Sequence, residues 1–153
     1  MRDQSKLLID QLDRKLLPLV EAGKIEIPDK GWIYVLRNTL NMTLEQFGNR
    51  MGKTRQGARR IELSEASGTI SLKLLKEAGL ALDMKLVYGF VPVQGSLESL
   101  LEKKARDLAR RIVIRTNQTM MLEDQSTGEE HIQKAIEELT AEIKHEMNRS
   151  LWD

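Results

Sequence analysis

The chain has 153 residues, 41% hydrophobic, 31% charged and only 4% aromatic, with no cysteine and a formal net charge of +1. That length fits about one domain of 100 to 200 residues, and the missing cysteine excludes disulfide frameworks, thiolate metal sites and cysteine nucleophiles. Charge summed over the chain singles out no partner, no apolar run approaches the roughly 18 residues of a membrane span, and the charged start Met1-Arg2-Asp3 is no signal peptide; a cytoplasmic protein without membrane attachment is therefore expected.

Few aromatics beside abundant Leu, Lys, Glu and Arg point to a mainly α fold. Residues 3–22 read as a helix with Leu8, Leu12 and Leu16 on one stripe and Asp10, Asp13 and Arg14 opposite, ended by Gly23. Residues 24–29 form a Pro-interrupted connector. From Gly31 the punctuation changes to short helices. Trp32, Val35, Leu36 and Leu40 mark the first of these, and Thr43 with Gln46 three residues on forms a capping box for the second. Leu44, Phe47 and Met51 give that second helix its stripe, and Gly52 closes it. Thr54 caps a third helix to about Leu63, with Ala58, Ile61 and Met51 facing inward, followed by a turn-rich stretch 64–68. Ser71 caps a fourth, whose Leu72, Leu75 and Ala78 face the core and which Gly79 stops.

Leu86 to Val93 is the one credible strand, with Pro92 marking its end or an edge. A lone strand cannot satisfy its own backbone, so pairing with the same strand of a second copy, in a twofold homodimer, is expected. Ser96 then caps a long helix to about Glu123 with a seam of Leu97, Leu101, Ala105, Leu108, Ile112 and Thr116. A last helix, capped by Thr127, carries Ile132, Ile136, Leu139, Ile143 and Met147, a stripe that fits an internal or dimer core or a partner groove. The organisation expected is an N-terminal helix and connector (1–30), a helical module (31–83), a strand (84–95) and a C-terminal helical region for dimer or partner contact (96–153).

The +1 is an average of unlike parts. Up to Gly95 there are 15 Lys/Arg against 11 Asp/Glu, and from Ser96 on there are 9 against 12. Arg50, Lys53, Arg55, Arg59 and Arg60 cluster without an intervening acid, the local electrostatic footprint of a nucleic-acid site. Position supports that reading. A short helix, a turn containing Gly and a second polar, basic helix make the helix-turn-helix pattern, in which the second helix enters the major groove of double-stranded DNA. Thr54, Arg55, Gln56, Arg59 and Arg60 then stand at the front of the reading helix, where Arg bridges guanine O6 and N7 and Gln bridges adenine N6 and N7. Arg50 and Lys53, with Thr43 at the start of the bracing helix, suit phosphates, which fix register without reading sequence. Gly57, inside the reading helix, costs roughly 0.5–1 kcal/mol relative to Ala and suggests close backbone approach to DNA.

The basic face of Lys103, Lys104, Arg106, Arg110, Arg111 and Arg115 is a second DNA contact or a solvated face. His131 and His145 lie 14 positions apart without a third ligand nearby, no carboxylate pair sits beside a nucleophile, and neither catalysis, a metal nor any cofactor is expected.

Two resemblances add to this reading. Leu36-Arg37, Met42 to Phe47, Arg50 to Thr54, Ile61-Glu62 and Thr69 to Leu75 resemble the Xre/Cro/C1-type helix-turn-helix domain of phage repressors and antitoxins, which implies a lambda-repressor-like bundle over about Trp32 to Leu82. Leu44 stands where that family often has a phosphate-gripping Gln, and Arg59 where Ser is common. A longer series takes in Gln11 to Leu16, Gly31 to Ile33, Gly68 to Leu72, Leu86 to Pro92, Ala105-Arg106, Thr119-Met120, Leu122 to Gln125 and Leu151 to Asp153. It resembles the bacterial family called mobile mystery protein A, encoded on mobile elements beside a Fic-domain protein. Fic domains usually transfer AMP from ATP onto target proteins. The resemblance therefore implies a DNA-binding transcriptional repressor that acts as antitoxin of a Fic-domain toxin and autoregulates its operon. Many Fic inhibitors carry Ser/Thr-x-x-x-Glu-Gly/Asn on a helix; the nearest string here, Ser126 to His131, has His at the last place, and an N-cap with acids on the helix dipole accounts for it equally. Two further readings stay open: a prophage- or plasmid-type repressor without a toxin, and a protein-interaction inhibitor that no longer reads DNA.

Overall fold

A computed structural model describes residues 2–122, 128–147 and 149–153, the side chains of Arg2, Asp3 and 120–122 excepted. The architecture is mainly α, and no strand forms among the described residues. The chain divides into two compact units, one made of residues 22–89 and one in which 1–21 joins 90–153.

The first unit holds α2 (Trp32–Thr39), α3 (Leu44–Met51), α4 (Arg55–Ser67) and α5 (Leu72–Ala81). Its starts are those the caps dictate. Thr43 Oγ1 accepts the Gln46 amide at 3.1 Å while Gln46 Oε1 accepts the Thr43 amide at 2.8 Å, a complete capping box. Ser71 Oγ accepts the Leu74 amide in the same way. Two stops lie further on than expected. α4 runs through the stretch 64–67 and ends at Gly68, which takes the left-handed conformation at φ 77°; Ser64 turns its hydroxyl back onto the Ile61 carbonyl and so stays helical. α5 passes through Gly79 to Ala81, because the following chain folds back over it: the Met84 amide donates to the Gly79 carbonyl, and a Cβ at Gly79 would lie 3.4 Å from the Met84 carbonyl oxygen.

The core gathers Ile33, Phe47, Ala58, Ile61, Ala78 and Leu82. On α2 the buried face is Ile33 and Arg37, and Trp32 and Leu40, expected inside, are exposed. Leu72 of α5 is likewise exposed. For Trp32 the reason is an ion pair: Arg37 lies buried against Glu62 of α4, Nε donating to Oε1, and its Nη1 donates to the Met42 carbonyl at 2.7 Å; Leu40 is the C-cap beyond the end of α2. Glu65, one turn further along α4, accepts the Ile33 amide at 2.7 Å, which caps the start of α2 where Gly31 offers no side chain.

The second unit holds α1 (Arg2–Ala22), α6 (Leu97–Leu122), α7 (Glu129–Glu146) and a closing 3₁₀ turn (Arg149–Trp152). Leu101, Ala105 and Ala109 of α6 pack against Ile136 and Ile143 of α7 and Leu151 of the turn. Small alanines at the contact let the two long helices approach closely. Ile112 and Thr116, expected in the seam, face solvent, and Val113 takes the inward place. Met147 is also exposed. α1 packs through Ile9, and its Leu8 and Leu12 are exposed, so the buried stripe is rotated by one residue from the expected one. The expected cap Thr127 lies outside the described residues, and Gly128 occupies the N-cap position of α7. His131 and His145 are exposed.

Two devices hold this unit. Asp13 of α1 accepts the amides of Leu97 at 2.8 Å and Glu98 at 3.2 Å, so a carboxylate from another helix caps α6 beside the expected Ser96, which takes the Ser99 amide. Asp13→Ala is expected to cost about 1–2 kcal/mol, read as a lowered midpoint in thermal unfolding. Lys144 of α7 bridges Glu98 and Glu102 of α6. The hydrogen bond from Lys144 holds the Glu102 carboxyl below its ordinary value, and the hydrogen bond to Glu98 pushes the Lys144 ammonium above its own. A lowered carboxyl contributes stability that is complete above its unfolded value and lost as pH falls through the folded one; a raised ammonium contributes stability that is complete below its unfolded value and lost as pH rises through the folded one. The contribution of the bridge is therefore expected to be level between about pH 5 and pH 10 and to decline on both sides. Lys144→Met should weaken both pH dependences, and an unchanged profile in that variant would show that the bridge contributes nothing.

Candidate nucleic-acid interface

α3 and α4 are joined by Gly52-Lys53-Thr54, and each residue of the turn has a local cause. Gly52 takes φ 65°, a left-handed conformation that L side chains rarely adopt, and so ends α3. Lys53 returns its amide to the Gly48 carbonyl at 2.7 Å. Thr54 has extended backbone and accepts the Gly57 amide on Oγ1 at 3.1 Å, starting α4. Gly48 was not singled out by the sequence. A Cβ there would stand 2.8 Å from the Lys53 carbonyl oxygen and 2.9 Å from that of Thr54, so the turn folds directly onto α3 and leaves no room for a side chain.

The turn and the buried face of α4 fix which residues look outward. Ala58, Ile61 and Glu62 are buried. Arg55, Gln56, Arg59 and Arg60 share the opposite face, within about 140° of arc at 100° per residue, and all four are exposed. With that of Lys53, their side chains form no ion pair and no hydrogen bond to the rest of the described chain, so the side-chain donors are free to meet a ligand. The first turn of α4 carries no acid, which leaves the positive end of the helix unopposed by side chains there. Leu63 continues this face one turn on and is exposed; an apolar residue on a polar face is the signal in the sequence that could have found it.

The other expected residues are placed differently. Thr43 and Thr54 use their hydroxyl oxygens as acceptors in the caps, which leaves each O–H to donate outward. Arg50 is turned away from the cluster: Nε donates to the Ala81 carbonyl at 2.6 Å and Nη2 to Asp83 at 2.9 Å, so that it straps α3 to the end of α5. Gly57 has a structural reason of its own, since a Cβ would lie 3.3 Å from the Cβ of Lys53 and 3.4 Å from the capping Oγ1.

Among the described residues no cluster of three His, Cys, Asp or Glu side chains could hold a metal ion, and no helix is long and apolar enough to cross a membrane. No protein-family model, no curated protein and no solved structure matches the chain.

Proposed function

We propose that the chain is a sequence-specific DNA-binding repressor whose residues 31–83 form a lambda-repressor-like helix-turn-helix bundle, with α3 bracing on the DNA backbone and α4 reading the major groove. The observation that carries this reading is the face of α4: Arg55, Gln56, Arg59 and Arg60, exposed and without partners, opposite a face locked into the core. Arg and Gln are the side chains whose paired donors and acceptors match guanine and adenine in the major groove. Lys53, at the turn, supplies a phosphate contact.

The repressor is a homodimer in this reading, since two copies double the number of base contacts and give a two-fold operator. The partner follows from the resemblance to mobile mystery protein A alone: a Fic-domain toxin, for which the chain is the antitoxin, with its own operon as the DNA target. The C-terminal region, with 9 Asp/Glu against 3 Lys/Arg from Thr116 on, has a charge balance opposite in sign to that of the reading helix and is the region proposed to meet the toxin.

Titration of the DNA upstream of the chain's own gene, at two salt concentrations, tests the DNA half. Affinity should fall steeply with salt, by about 0.9 in log K per log salt for each phosphate neutralised. Binding that ignores salt, or that is equal for unrelated DNA, overturns it. Co-expression with a neighbouring Fic protein tests the other half, with rescue of growth as the expected outcome.

A further inference from the structure

Residues 85–95 have no secondary structure of their own. No main-chain hydrogen bond is made anywhere along them: the last before the segment is Met84 to Gly79, the next is Leu100 to Ser96, and no side chain bonds to the stretch. Polar linkers leave their backbone to water in this way, but this one is apolar. Val87 is 69% exposed, Tyr88 66%, Phe90 88% and Val93 99%. Four such side chains present on the order of 500 Å² per copy, hence about 1,000 Å² for two copies, the floor for a specific interface. Within the second unit, Phe90 and Val93 line an apolar groove with Leu16, Leu97 and Leu100. An unpaired, apolar segment is a template for another strand.

We infer that the occupant is the same segment of a second copy, paired antiparallel about a twofold axis at Gly89. Its own sequence sets the register. With Gly89 opposite Gly89 of the second copy, Tyr88 meets Phe90, Val87 meets Val91 and Leu86 meets Pro92, each twice by symmetry. Aromatic and β-branched pairs directly opposite are the ones that stabilise a sheet. Moving the axis to Tyr88 or Phe90 sets Gly89 against a valine and leaves a hole beside it. The phase of the ladder follows from Pro92, which has no N–H. If Gly89 and its copy form a hydrogen-bonded pair, the alternation makes Leu86–Pro92 a non-bonded pair, where the missing donor costs nothing, and Tyr88–Phe90 the closely spaced pair. In the opposite phase Pro92 would break the ladder at both ends.

This interface rests on the proposed function only for the expectation of a homodimer, and its test is read without DNA. The chain has no cysteine, so a single introduced one reports without background. Cα atoms of a hydrogen-bonded antiparallel pair lie about 5.5 Å apart, within disulfide reach. The positive-φ glycines are Gly31, Gly52, Gly68 and Gly95, so a side chain at position 89 meets no such strain. Under mild oxidation Gly89→Cys should crosslink nearly fully to its copy on a non-reducing gel. Tyr88→Cys and Phe90→Cys, two residues out of register with their own copies and about 8 Å away, should crosslink at least ten-fold more slowly. The parent chain should show twice 17.5 kDa by light scattering, and Tyr88→Lys with Phe90→Lys should give a monomer of unchanged helicity by circular dichroism. A monomeric parent, a dimer that survives the double lysine variant, or faster crosslinking at 88 or 90 than at 89 overturns the inference. A chain that crosslinks at 89 but ignores DNA keeps the interface and loses the repressor; a dimer that binds DNA without crosslinking there does the reverse.

Discussion

Glu62→Ala should lower the stability of the unit 22–89 by about 3–5 kcal/mol, the range for removing one partner of a buried ion pair. Arg37 and Glu62 are both buried, and Arg37 would keep the Met42 carbonyl and the Tyr34 ring, 5.7 Å away, but lose the carboxylate that answers its full charge. A body of this size loses about 4–8 °C of thermal midpoint per kcal/mol, so the midpoint should fall by more than about 12 °C. The pair itself is another matter. Attraction between the two charges has to offset the desolvation of both, and apolar replacements of similar volume are often as stable. Arg37→Met combined with Glu62→Leu should therefore recover most of the loss made by Glu62→Ala alone. A single variant within about 1 kcal/mol of the parent, or a double variant no better than the single one, would refute this account of the α2–α4 contact.

That contact also shows where the sequence stops being legible. Caps were readable because their chemistry is local: Thr43 with Gln46, Thr54 with Gly57 and Ser71 with Leu74 each close a bond between residues three apart. Helix faces were harder. Arg37 reads as a solvated charge on any hydropathy pattern, and the Glu62 that takes it inside lies 25 positions away. Placing Arg37 inside turns Trp32, about 140° away at 100° per residue, outward, whereas Leu40 stands on the buried side and is exposed as the C-cap beyond the last residue of α2. The same distance problem governs Arg50. Its position beside Lys53 in sequence suggests a phosphate contact, but Ala81 and Asp83, 31 and 33 positions on, take two of its donors. Gly79 looks like a helix stop because glycine usually is one; only the fold-back of Met84 makes it an interior residue. In contrast, the face of α4 was readable from Ala58 and Ile61 alone, since whatever lies opposite two buried positions on a helix must look out.

The largest functional effect is expected at that face. Arg55→Ala with Arg59→Ala should weaken operator binding by at least about 30-fold, at about 1–3 kcal/mol for each bidentate contact and 1.4 kcal/mol per tenfold. Fold stability should stay within about 0.5 kcal/mol, because both side chains are exposed and neither has a partner to lose. Lys53→Ala separates the two kinds of contact. A phosphate contact carries no sequence information, so its loss should weaken operator and unrelated DNA alike and reduce the salt slope by about 1. Loss of the two arginines should instead narrow the gap between operator and unrelated DNA. Gel-shift or anisotropy titrations on both DNAs at two salt concentrations distinguish these patterns. If all three replacements only reduce affinity uniformly, α4 lies on the backbone and does not read the groove; if the arginine pair leaves both affinities unchanged, the basic face of α4 has no part in DNA binding.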